Sequence, residues 1–275
     1  MTTIGAVIGP SITGVGADLA DLLGIAELAG PFVIGAAAFA LAGAVLGAGL
    51  RPDPLLVAHS RSGVEPDRSG PGLREVWRTV RASAERRNGF VALLSAHAVM
   101  VGTMSLTPVH LAHGGASLNI IGLSVSAHLA GMYALSPLMG LASDRLGRVP
   151  LMLTGQVIML SSCVVGLSFA GGGHHSTGTQ SGLVVAMTLV GLGWSATTAA
   201  ASALLSESVP DDARLGAQGL ADSSMGLAAA GAGALAGVVV GVSGYGVLMV
   251  VVGAGVLTTA GYLLLDRAGR QPAAA

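Results

Sequence analysis

His97 and His128 stand inside long apolar runs of this sequence. The first lies about a third of the way into a run over 89–112, the second near the middle of one over 118–141. A histidine titrates near physiological pH, so either can exchange a proton within the membrane, where polar groups are costly and seldom idle. Either can equally bond a backbone carbonyl or a serine on the next helix. Trp194 lies near the centre of a run over 181–205. Trp favours the membrane interface, so a central one suits an aqueous cavity or a helix contact. Thr198 and Ser202 follow at one-turn spacing, with hydroxyls that can serve a solute or the carbonyl one turn back. The chemistry on offer is proton exchange and hydrogen bonding to a small solute.

Other chemistries are poorly served. All 13 basic residues are Arg, so no phosphate loop with its lysine exists, and no Gly-x-Ser-x-Gly elbow occurs. The single Cys163 forms no intrachain disulfide and no cysteine metal site. His174 and His175 are too few for a metal centre without further ligands. Neither an enzyme, a cofactor, a metal nor a nucleic-acid partner is expected.

The elements that must hold these residues are membrane helices. Hydrophobic residues make up 52% of the 275 and charged residues 10%, against about 25% charged in a soluble domain. The mean hydropathy is +0.75. A span needs about 20 apolar residues, and eight windows qualify: 4–22, 31–50, 89–112, 118–141, 150–170, 181–205, 219–242 and 244–265. The expected fold class is therefore all-α, a polytopic membrane helix bundle. Asp18, Asp21 and Glu27 close the first window as a solvated loop or a cation-attracting vestibule. Gly233, Gly237 and Gly241 repeat small-x-x-x-small along the seventh, a packing pattern. With no basic residue before the first window, a cleavable signal peptide is not expected.

The arginines orient the bundle. Eight follow the second window, two follow the fourth, one the sixth and two the eighth, while the other connections hold none. The positive-inside rule then puts these loops and both termini in the cytoplasm, with the chain multi-pass in the inner or plasma membrane. Within the long connection 51–88, the Pro- and Gly-bearing first part reads as a linker. Over about 72–88, Leu73, Val76, Trp77, Val80 and Ala84 recur at helical spacing, with Arg74, Arg78 and Arg81 off that stripe. This amphipathic helix lies either on the lipid of the inner leaflet or packed on the bundle.

Three motifs resemble one family. Gly140-Leu-Ala-Ser-Asp144-Arg145-Leu-Gly147-Arg148 resembles the G-x-x-x-D-R-x-G-R loop of the major facilitator superfamily, with Val149 where the family often has another basic residue. Gly140 would permit close helix approach, and Asp144 would accept from a neighbouring helix N-terminus. Gly5, Gly9, Pro10 and Gly14 resemble the antiporter motif of that family's fifth helix in drug exporters, with Thr13 replacing one Gly. Gly191-Leu-Gly193-Trp194, followed by Glu207, Pro210, Arg214, Gln218 and Asp222, is similar to its tenth and eleventh helices. The resemblance implies that 1–50 are the last two helices of an N-terminal half and 51–88 a cytoplasmic linker. It makes 89–265 a six-helix C-terminal half and 266–275 a tail. Family helices one to four have no counterpart here. A misplaced gene start or truncation is the favoured explanation, and a partner chain supplying the rest is the other.

By the same resemblance, Asp144 faces the start of the span at Asp222, and loop and helix end form a gate. The implied function is secondary transport: proton-coupled efflux of small hydrophobic or drug-like compounds. The alternatives are an uptake carrier for a sugar or other metabolite, and a non-transporting remnant or membrane subunit.

Overall fold

A computed structural model describes residues 9, 13–26, 29–52, 57, 71–171 and 176–268. Among them every regular element is a helix. Contacts divide the chain into two compact units, one within Ile8–Gly70 and one holding everything from Pro71 onward.

The smaller unit pairs α1 (Thr13–Leu23) with α2 (Gly30–Gly49). Their contact falls on Gly16, where an added Cβ would lie 2.6 Å from Pro31 Cγ; small residues let two backbones close. The antiporter-like motif is only partly visible. Gly5 and Pro10 lie outside the described residues, as does Glu27. Gly14 is within α1, and Gly9 is exposed with open space beside it. Among the described residues, the close approach in this unit falls on Gly16 and Gly30. Of the window 4–22 only Gly9 and residues 13–22 are described. Among the described residues seven segments are long and apolar enough to cross a membrane.

Six of those seven belong to the larger unit. It runs α3 (Leu73–Ala82), α4 (Ala84–His113), α5 (Leu118–Tyr133), α6 (Ser136–Leu146), α7 (Arg148–Ser168), α8 (Thr177–Ser208), α9 (Asp211–Ser243) and α10 (Tyr245–Ala268). Ser117 and Ser176 cap α5 and α8, each hydroxyl accepting from the backbone N–H three residues on. The span expected over 118–141 is broken between α5 and α6. Pro137 lacks an N–H and crowds the carbonyl four residues back, so the helix interrupts at Ala134 and Leu135 and resumes at Ser136.

The amphipathic helix is shorter than the 72–88 read from sequence. Ser83 is extended, with φ −122° and ψ 140°, so α3 stops at Ala82 and residues 84–88 open α4. Arg86 Nη1 donates to Thr79 O (2.9 Å) and Arg87 Nη1 to Arg81 O (3.2 Å). These bonds satisfy carbonyls that the break would orphan. α3 packs on the bundle: Val76 and Val80 are buried among Leu205, Val209, Ala213 and Ala217.

α8 is the axis of the unit, in contact with α4, α5 and α7. It approaches α7 across two facing glycines. A Cβ on Gly155 would lie 2.7 Å from Gly193 O, and one on Gly193 2.7 Å from Gly155 O. The packing expected of Gly233, Gly237 and Gly241 is not found: open space lies beside Gly237 and Gly241, and Gly233 has only ordinary contact with Val101. Among the described residues, that stripe of α9 therefore meets a neighbour only at its Gly233 end.

Candidate functional site

α4, α5 and α8 bring three aromatic rings together. Gly191 lets α8 lie against the His128 backbone of α5, and Gly193 seats it on α7. The residue after this pair, Trp194, is thereby held half-buried between α4 and α5. Its indole Nε1 donates to His97 Nδ1 at 3.1 Å, and the two rings tilt at 52° with centroids 5.9 Å apart. Tyr133, at the end of α5 before the break, meets the indole edge-on with centroids 6.1 Å apart. Met100, Met132 and Met159 pack around this group, with Met104 at its margin. Thr198 follows one turn along α8, its buried hydroxyl without a hydrogen-bond partner among the described residues. Ser202 follows another turn on, half-buried.

The Trp194–His97 bond has chemical content. Trp can only donate, so His97 Nδ1 must carry a lone pair and the imidazole must be neutral in this arrangement. A proton arriving at Nδ1 removes the acceptor and breaks the bond.

His128 lies elsewhere. It is fully buried between α5 and α8, with Nδ1 3.0 Å from Met187 O. This is the carbonyl-bonded arrangement, and it sets His128 apart from the Trp194 group. Tyr133 is the residue that sequence reasoning passed over. Aromatic residues form 3% of the chain, so a tyrosine inside a span was the available signal.

A second cluster occupies the connection between α6 and α7. Gly147 has φ +92° and ψ 159°, a conformation open to glycine almost alone, and this lets α7 begin one residue after α6 ends. Arg148 then reaches three partners. Nη1 donates to Ser143 Oγ (2.8 Å) and Asp144 Oδ1 (2.6 Å). Nε and Nη2 fork onto the Glu207 carboxylate near the end of α8, at 3.2 and 2.5 Å. Arg145 is exposed. Asp144 is therefore engaged by Arg148 and through it by Glu207. Asp222, the partner expected from sequence, instead accepts from Gln218 on its own helix at 3.1 Å. The reason is geometric, since Asp144 lies four residues before Arg148, which reaches α8. Among the described residues, open space lies beside Gly140.

The family model of the Major Facilitator Superfamily matches residues 110–274. The chain belongs to this superfamily. It is 36% identical over 247 residues to the uncharacterized MFS-type transporter YdeG of Bacillus subtilis (strain 168), covering 89% of this chain and 55% of that protein. It is 33% identical over 254 residues to the uncharacterized MFS-type transporter YddS of the same organism, covering 90% and 56%. The chain thus spans about half the length of the curated relatives it matches. Superfamily membership and the apolar spans make it a multi-pass membrane protein. The histidines His174 and His175 lie outside the described residues.

Proposed function

We propose that this chain belongs to a secondary transporter that exports small, mostly apolar compounds in exchange for protons. Residues 89–265 are its C-terminal six-helix half, 1–50 the last two helices of its other half, and 51–88 the cytoplasmic linker between them. Both termini lie inside the cell.

The observation that carries this reading is the Trp194–His97 bond. Neutral His97 holds the indole; protonated His97 releases it. The protonated ring puts a charge beside the indole, which an apolar solute avoids, so the solute packs on the neutral pair and proton and solute bind in alternation, which is the requirement for exchange. The setting supports an apolar solute. Methionines are adaptable, polarizable walls for ligands of varied shape. A cavity of about 210 Å³ lined by Val99, Gly102, Ala236, Val252 and Gly255 is almost wholly apolar.

Inverted membrane vesicles carrying this protein test the reading. Acidified inside, they are expected to accumulate a lipophilic dye. His97→Gln, which keeps volume and hydrogen bonding but does not titrate, is expected to abolish gradient-driven accumulation while leaving dye exchange at equal pH. Gradient-driven accumulation unchanged in His97→Gln rejects His97 as the proton carrier.

One observation favours uptake of a polar metabolite instead. Gln156 is 1% exposed and neither atom of its amide is hydrogen-bonded among the described residues, a costly arrangement that a polar solute would relieve. Right-side-out vesicles that concentrate a sugar, and inverted ones that do not concentrate the dye, would establish this second reading.

A further inference from the structure

We propose that the outward face of α3 binds the phosphate of an anionic phospholipid in the cytoplasmic leaflet. The leaflet follows from the orientation proposed above; the site itself follows from the helix.

At 3.6 residues per turn, Arg74, Arg78 and Arg81 fall within a sector of about 60°. Trp77 and Leu73 come next around the helix, and Val76 and Val80 beyond them. The valines are buried at 2% and 1% exposure, whereas Leu73 is 69% and Trp77 42% exposed. α3 therefore has a face for the bundle, an apolar face left uncovered and an arginine face beside it. Arg74, Trp77, Arg78, Arg81 and Ala82 line a surface concavity of about 440 Å³. Arg81 sits over the indole of Trp77, 5.8 Å from the ring centroid, and the indole in turn meets Phe90 edge-on. The cation is thus oriented by a ring that α4 holds in place. Among the described residues no carboxylate is ion-paired with these three arginines.

Three arginines lining one hollow, with no carboxylate partner among the described residues, match a phosphate. The apolar pair beside them decides the source. A free phosphate needs the cations alone, whereas a lipid headgroup arrives with glycerol and acyl chains that Leu73 and Trp77 can meet. An aromatic-and-cation border of this kind is what an interfacial helix presents to a bilayer surface.

Titration of the detergent-solubilised full chain with phosphatidylglycerol or phosphatidylcholine, read by native mass spectrometry, tests the site. Wild type is expected to bind one phosphatidylglycerol about a hundred-fold more tightly than R74Q/R78Q/R81Q, since each arginine near an anionic surface contributes about five-fold. Phosphatidylcholine binding is expected to be equal in the two proteins. If the triple variant does not elute as a monodisperse species, R78Q alone is compared, with an expected loss of about five-fold. Equal phosphatidylglycerol binding by wild type and variant overturns the site. Displacement of the lipid by inorganic phosphate overturns the lipid as its occupant.

Discussion

Arg148 joins two helix ends with one planar group, and its geometry dictates what replacement would do. The fork on Glu207 uses two nitrogens, while a third contact serves Asp144 and Ser143. Lysine is a point charge on a flexible stem and cannot hold this set at once. Asp144 and Glu207 are 64% and 56% exposed, so water screens both pairs and each contributes at most about 1 kcal/mol to stability. The expected consequence of Arg148→Lys is therefore kinetic. Solute flux falls several-fold, while the unfolding midpoint in detergent moves by less than the equivalent of about 1 kcal/mol. Flux equal to wild type would remove the cluster from the transport cycle. At this scale the sequence was only partly legible. It marked His97 and Trp194 as exceptional, because polar and amphipathic groups are costly in mid-span. It did not pair them, since they are 97 residues apart and meet only through the rotation of two helices. The same rotation encloses His128 against Met187, and four-residue spacing turns Asp144 toward Arg148 and not toward Asp222.

The elements depend on a few close approaches. Gly155 and Gly193 face each other so tightly that either Cβ would sit 2.7 Å from the opposite carbonyl oxygen. Backbone cannot yield there as a flexible side chain would, so Gly193→Ala must push α7 and α8 apart. Overpacking of this kind costs about 1–3 kcal/mol. The expected result is a lower unfolding midpoint, together with a changed Trp194 emission, because the residue after Gly193 carries the indole toward His97. A midpoint equal to wild type would show that α7 and α8 are not closely packed at this crossing. The Gly-x-Gly-Trp signature was legible as a motif and gains its physical reason from these contacts. The break at Ser83 was not legible. Apolar periodicity runs on from Val80 to Ala84, and nothing in Ser83 itself forbids a helix; the interruption is held by Arg86 and Arg87 reaching back to α3. The break at Ala134 had a visible cause in Pro137, but apolar content alone carried the window across it.

At the scale of the molecule the governing quantity is the distribution of cost across the bilayer. A helix of 33 residues such as α9 is about 50 Å long, against a hydrocarbon core of about 30 Å, so it is long enough for both ends to reach beyond that core. The chain places charge accordingly. Arg145, Arg148, Arg214 and Arg267 lie at one set of helix ends, where α6, α8 and α10 finish and α7 and α9 begin. The opposite ends, at Gly115, Gly171 and Gly244, carry no arginine. Carrying an arginine to the bilayer centre costs about 2.5–3.5 kcal/mol even on the most lenient scale, so inverting the chain would cost several such transfers at once. A reporter enzyme that folds only outside the cytoplasm is therefore expected to be active when fused after Gly115, Gly171 or Gly244. It is expected to be inactive when fused after Arg145, Val209 or Ala268. Activity at any of the second group would break the alternation and with it the inward placement of the Arg148 cluster and of α3. The outcome also bears on His97. Only with α4 entering from the arginine side does a proton that reaches the His97–Trp194 pair from the opposite ends fall down a gradient directed into the cell, which is the direction that export by exchange requires.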